Sequence, residues 1–138
     1  MLKRLIKKLR RSENGQAMVE MALVLPILLL LVGGIIDFGW LFYNKLALNN
    51  AAREGARYAA IHYHLSTDWT SDVQLALDLM DEVYSGVDGA TASVNTPENS
   101  TITAEMKARV PILTGIASTI LGRDYIDMVG TCTMRLEN

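Results

Sequence analysis

The hydrophobic and polar positions divide the chain into a long apolar first half and an amphipathic second half. Residues 21–36 form an uninterrupted run of apolar side chains and glycines without any charge. A segment rich in lysine and arginine, residues 1–15, precedes this run. A basic segment followed by a long apolar one is typical of a membrane helix whose N-terminus is cytoplasmic. The pattern therefore predicts a membrane span with the downstream residues outside the cytoplasm.

The strict apolar run is too short for a full span, so its apolar flanks have to contribute. With them, the predicted span covers about residues 17–43 and measures roughly 40 Å, more than the ~30 Å hydrocarbon core of a bilayer. Trp40, Phe42 and Tyr43 then form an aromatic belt at its outer end. We expect Asp37, beside this belt, to be solvated. Bulky residues stand where a secretory signal needs its small-x-small cleavage site, which disfavours such a signal.

Helical periodicity continues beyond the apolar run to about residue 64. Small residues recur there in two neighbouring rows with a spacing of four. This small-residue stripe consists of Ala47, Ala51, Gly55 and Ala59, with Ala52, Ala56 and Ala60 beside them. Another backbone can approach such a stripe closely. It receives either the chain's own globular domain or the helices of neighbouring molecules, and the polar residues opposite it favour the first interpretation.

Residues 65–138 are predicted to form a small extracytoplasmic head. The segment 66–71 is polar and carries good helix-start residues. Apolar side chains then follow a helical spacing as far as Gly86, which is suited to end a helix. We therefore expect one amphipathic helix at the start of the head.

The rest of the head changes to a period of two, which is typical of half-buried strands. Alternation is clear over residues 102–110 and 126–136 and weaker over residues 90–94. The intervening residues 111–122 are apolar enough for a short helix or a tucked loop. One helix and a two- or three-stranded antiparallel sheet can bury one another, so the predicted fold class is α+β.

The junction between the basic segment and the apolar run contains two unusual residues, Gly15 and Glu20. Glu20 places a carboxylate within an apolar stretch, where an unpartnered charge raises the free energy by roughly several kcal/mol or more. Gly15 disfavours helix and lets the chain be held extended, within reach of a protease. Cleavage of the Gly15–Gln16 bond removes every basic side chain of residues 1–15 and leaves an α-ammonium on Gln16. That ammonium is a natural partner for Glu20.

The partner of Glu20 is then Gln16 of the same chain or Gln16 of a neighbouring subunit. A pair between subunits would fix the axial register of bundled helices, because sliding would leave buried charges unpaired. The alternative is that Glu20 lies at the cytoplasmic interface and reaches into the lipid headgroups.

These residues resemble the class III signal of type IV pilins, with its basic leader, a glycine before the cut, and a glutamate shortly after it. The longer motif is similar to the TadE-like family, the minor pilins or pseudopilins of the tight-adherence (Flp) pilus system. The resemblance rests on Gly15–Glu20, Leu25-Pro26, Gly34–Gly39, Asn50–Ala60, and Thr133-Met134-Arg135 with Glu137. It is dense over residues 14–60 and faint at the C-terminal end.

The resemblance implies a prepilin leader at residues 1–15 and a long pilin-like helix at residues 16–64. It implies cleavage by a prepilin peptidase and a role in pilus assembly, adhesion and surface colonisation. The implied partners are the prepilin peptidase, major and other minor pilins, the inner-membrane assembly platform and membrane lipid. The implied location is the inner membrane, with the extracellular pilus as a further destination. The alternative is an uncleaved single-span anchor that presents a small binding or sensory domain.

Catalytic, metal and cofactor sites are not expected, and the chain is not expected to be an enzyme. His62 and His64 would point in different directions on a helix, so they cannot chelate one metal ion. The lone Cys132 falls on the apolar face of its strand, as a small buried hydrophobe does. The basic segment carries leucines at helical spacing, which favours a membrane surface over nucleic acid as its partner.

Overall fold

The long N-terminal helix is the axis of the molecule. The computed structural model describes residues 13–63, 68–95 and 100–136, without the side chains of residues 13, 14 and 116. Helix α1 spans Glu13–His62 and is continuous through Pro26. It ends close to the predicted position, while most of the predicted leader and His64 lie outside the described residues.

The head begins with the predicted amphipathic helix. Helix α2 spans Trp69–Val83 and starts within the polar segment that the sequence identified. Asp68 is its N-cap, and the Asp68 carboxylate accepts a hydrogen bond from the Thr70 amide at 3.1 Å. Ala76 and Met80 lie on its buried face, one turn apart, as the apolar spacing predicted.

Strands β1 (Thr91–Val94), β2 (Thr101–Pro111) and β3 (Tyr125–Arg135) form an antiparallel sheet in the order β1-β2-β3. A short helix, α3 (Gly115–Leu121), lies between β2 and β3 and ends at Gly122, whose φ of 64° is left-handed. Glycine adopts that conformation without steric cost, which explains why the helix stops there. The predicted α+β fold is confirmed, including its weak third strand.

One face of the sheet is buried under α1 and α2. The inward residues of β2 are those that the alternation predicted. They are Ile102, Ala104, Met106, Ala108 and Val110, each at most 5% exposed. On the opposite face, the Thr103 and Thr133 hydroxyls lie 2.9 Å apart across neighbouring strands. The core is therefore a two-layer packing of sheet against helices, completed by the outer half of α1.

Strand β2 runs antiparallel to α1. At the start of β2, Ile102 shares a hydrophobic cluster with Ala59, near the C-terminal end of α1. At the end of β2, the Pro111 carbonyl accepts a hydrogen bond from the Trp40 indole N–H at 3.1 Å. The loop that follows β2 therefore lies at the end of the head nearest to the apolar part of α1.

Candidate functional site

The N-terminal part of α1 carries an apolar surface that the described remainder of the chain does not cover. From residue 15 to residue 36, every residue except Gly33 is exposed. Leu23 and Ile27 each expose 69% of their surface. Residues 17–36 form a helix about 30 Å long, which equals the hydrocarbon thickness of a bilayer. The helix is thus long and apolar enough to span a membrane once.

The predicted cleavage junction lies at the start of this surface. Glu13 is already helical, so the Gly15–Gln16 bond lies within α1 rather than in the extended segment that the sequence predicts. The Gln16 side-chain amide donates a hydrogen bond to the Glu20 carboxylate at 3.1 Å. Gln16 and Glu20 therefore share one face of the helix, one turn apart, and both are exposed.

The small-residue stripe packs against the head of the same chain. Ala51 and Ala59 are fully buried, and Ala47 is half-buried. Gly55 faces α2 so closely that an added methyl group would overlap the Met80 side chain. Within this chain, the stripe receives the chain's own domain, which is the first of the two interpretations that its spacing allowed.

Asp37 lies where the exposed part of α1 gives way to the part that the head covers. It is 3% exposed, so the expectation that it is simply solvated was wrong. Its Oδ1 accepts a hydrogen bond from the Thr114 amide at 2.8 Å, and its Oδ2 accepts one from the Thr114 hydroxyl. Charge-assisted bonds of this kind offset the cost of burying a carboxylate. Asp37 thereby fastens the residues before α3 to the long helix.

Asn44, two turns after Asp37 on α1, is a further attachment point for the head. The Tyr84 hydroxyl donates to the Asn44 side-chain oxygen at 2.9 Å, and the Asn44 amide donates to the Trp40 carbonyl at 2.9 Å. Burial, and secondarily the nearby Tyr43 phenol, raises the pKa of Tyr84 above its ordinary value, which keeps the hydroxyl protonated as a donor. Asp37, Trp40 and Asn44 lie on one face of α1, and we call these three residues the collar.

Sequence reasoning missed the collar because its neighbours along the chain are apolar or aromatic. The sequence pattern places Asp37 and Trp40 at the membrane boundary, whereas Trp40 is half-buried against the head core. A signal was nevertheless present in the spacing. From the stripe residue Ala51 toward the N-terminus, Leu48 and then the three collar residues follow at intervals of three and four residues. The collar and the small-residue stripe therefore lie on the same side of α1, which faces the head.

We expect Asp37→Ala to loosen the segment before α3, because it removes both acceptors of Thr114. A hydrogen bond to a charged group contributes about 2 kcal/mol, and the amide of the half-buried Thr114 would lose its partner. Faster hydrogen exchange at the Thr114 amide of the full chain in detergent would report the loss. Thr114→Ser keeps both donors and serves as the control, with exchange close to that of the unaltered chain. Unchanged exchange in Asp37→Ala would contradict the anchoring role.

The residues considered for metal or thiol chemistry have ordinary surroundings. His62 stacks on Tyr58 with ring centroids 4.0 Å apart, and its Nδ1 lies 2.9 Å from the Tyr58 carbonyl. Cys132 is a half-buried free thiol that faces Ala104 across the sheet. Within residues 13–63, 68–95 and 100–136, no group of three or more His, Cys, Asp or Glu side chains is arranged to hold a metal ion.

A comparison with known families finds a match that lies on helix α1. Residues 15–57 match the family of TadE-like proteins. The matched segment contains Gly15, Gln16, Glu20, the collar and most of the small-residue stripe, so the resemblance stated from the motif is confirmed over these residues. The chain matches no curated protein and no solved structure.

Proposed function

We propose that this chain is a minor pilin, or pseudopilin, of a tight-adherence (Flp) type IV pilus. The match of residues 15–57 to TadE-like proteins supports this assignment. The observation that carries it is the exposed apolar surface of residues 17–36, which begins directly after the Gly15–Gln16 bond and includes Glu20. Such a helix can lie in lipid first and pack against similar helices later. Its role is structural rather than catalytic, in pilus assembly, adhesion and surface colonisation.

In this proposal, α1 crosses the inner membrane with its N-terminus in the cytoplasm. Residues 1–15 carry a net charge of +5, which favours their retention on the cytoplasmic side. The span ends at about residue 36 rather than at about residue 43, because the collar is occupied by contacts with the head. The head and the outer half of α1 then lie outside the cytoplasm.

A prepilin peptidase would cut the Gly15–Gln16 bond. Because the whole chain carries −2 and the leader +5, the mature chain carries −7. The bond lies within α1, so the peptidase has to unwind the helix locally. Glycine makes this easier, since it is about 1 kcal/mol less favourable in a helix than alanine. The new α-ammonium of Gln16 would then lie one turn from Glu20.

Glu20 would serve as the register device of assembly. It is exposed on a surface that is otherwise apolar, so a neighbouring helix packed there would bury it. A buried carboxylate needs a cationic partner, and the α-ammonium of a neighbouring pilin supplies one at a fixed height. The partners in this step are the major and other minor pilins, brought together at the inner-membrane assembly platform.

Mass spectrometry of the protein from its native membrane tests the processing step. We expect a chain that starts at Gln16. Gly15→Leu should block the cut by filling the space beside the bond and should preserve residues 1–15. Gly34→Leu is the matched control, because nothing lies within 4 Å of a Cβ added there, and it should be processed normally. An intact Met1 start in cells that possess the peptidase would contradict the proposal.

One contact favours the alternative, an uncleaved single-span anchor that presents the head as a binding or sensory domain. The Gln16 side chain already donates a hydrogen bond to Glu20 in the uncut chain. Glu20 therefore has a polar partner without any new ammonium. Under this alternative the native protein keeps its leader, and the same mass measurement distinguishes the two functions.

A further inference from the structure

The loop between β2 and β3 carries an apolar surface that the proposed function does not use. Residues 112–122 contain no charged side chain. Leu113, Ile120 and Leu121 are 55%, 70% and 56% exposed, respectively. The charged residues Arg123 and Asp124 follow immediately. We call residues 112–122 the foot.

The foot is a closed projection at the base of the sheet. Pro111 and Tyr125 form the last pair of the β2–β3 ladder, and the Ile112 amide donates to the Asp124 carbonyl at 3.0 Å beyond it. Since β2 runs antiparallel to α1, the foot extends from the head toward the apolar end of the long helix. The bonds between Thr114 and Asp37 fix its height along α1.

At this height the foot lies beside the exposed apolar surface of α1. Ile35, Ile36 and Phe38 flank Asp37 and are 63%, 50% and 70% exposed. Leu113 is the residue next to Thr114, so its exposed side chain lies close to the same level. The apolar surface of α1 therefore continues onto the head rather than stopping at Asp37.

We propose that the foot dips into the outer leaflet beside α1, so that the head rests on lipid at a second point. This inference rests on the proposed membrane placement of α1, because the occupant is assigned by continuity with the span. Short apolar elements at an interface bury their apolar side by about 5–10 Å. Arg123, at the base of the foot, lies at the height of the lipid phosphates and can pair with them.

A second lipid contact limits how the molecule tilts on the membrane. A single span alone lets α1 tilt in any direction, and the head tilts with it because the head is docked on α1. With the foot in lipid, the side of α1 that carries the sheet is held close to the bilayer. Extraction of the subunit would then require the foot as well as residues 17–36 to leave the lipid.

Depth-dependent quenching of a fluorescent label tests the foot directly in the full chain. The background is Cys132→Ser, which leaves one engineered thiol for each label. Leu121→Cys places the label on the foot, Leu29→Cys places it in the proposed span, and Ser71→Cys places it on the far end of α2. The proteins are reconstituted in phosphatidylcholine nanodiscs that contain phosphatidylcholine spin-labelled near the headgroup or near the chain end.

We expect headgroup-proximal spin labels to quench the Leu121 label at least about twofold more than the Ser71 label, as an interfacial position requires. Quenching at Leu29 but not at Leu121 would reject the foot and leave the span intact. Absence of quenching at Leu29 would reject the membrane placement and the foot together. A Leu121 label that is shielded only at high protein density would assign the surface to a second copy and overturn the lipid proposal.

Discussion

Replacing Glu20 with alanine should leave cleavage after Gly15 intact and strongly reduce pilus assembly. Removing one partner of a buried ion pair costs roughly 3–5 kcal/mol, because the other charge stays buried without compensation. In the mutant, the unpaired group would be the α-ammonium of Gln16. We therefore expect at least a ~10-fold loss of surface pili, counted by electron microscopy, with a normal mature mass.

Two matched variants separate charge from size and position. Glu20→Gln keeps the side-chain volume and can still bond to Gln16, so it should be as defective as alanine if the charge matters. Glu54→Ala removes a half-buried glutamate from the outer part of α1 and should assemble normally. Normal pili in Glu20→Ala would reject the register role, whatever the mass measurement shows.

The strands were the most predictable part of the head. The alternation that begins at Ile102 and the one that ends at Leu136 each set one face of a strand, and both faces are as the sequence indicated. Apolar and polar residues alternate along both strands because one side of each strand faces the core and the other faces solvent. Strand β1 gave a weaker signal because it is short and pairs with β2 alone.

The environment of Asp37 could not be predicted, because its partner lies far away in the chain. Its sequence neighbours are apolar and aromatic, which suggested solvation at the membrane surface. The deciding contact is with Thr114, 77 residues later. Local patterns report on which side chains share a face, whereas a hydrogen bond between distant elements depends on how the whole head docks.

Asp37 also divides α1 into two parts with different partners. Above it, the collar and the small-residue stripe are covered by the head, so little of that face is left for other subunits. Below it, every residue of 17–36 except Gly33 is exposed within the described chain. Under the proposed function, lipid and neighbouring pilins would compete for the lower part, which is the part that carries Glu20. This division would let one helix hold a folded head and still take part in the helix bundling that we propose.

Gly130→Ala should be among the most destabilising small substitutions in the head. Gly130 lies where β3 crosses α1, and a methyl group there would overlap the Leu48 carbonyl and approach the Asn49 amide. These are backbone atoms within a helix, so they cannot move aside as a side chain can. Overpacking of this kind costs about 3 kcal/mol, the upper end of its usual range. Local propensity predicts the opposite sign, because glycine weakens a strand interior.

The measurement is thermal unfolding of the full chain in detergent, followed by near-ultraviolet circular dichroism of Trp40 and Trp69. Gly115→Ala is the control, because nothing lies within 4 Å of the added methyl group, and it should stabilise α3 by up to about 0.5 kcal/mol. Gly55→Ala should fall between the two, since the overlapping Met80 side chain is flexible. If Gly130→Ala unfolds at the same temperature as Gly115→Ala, β3 does not pack directly on the α1 backbone, and the docking of the head described above is wrong.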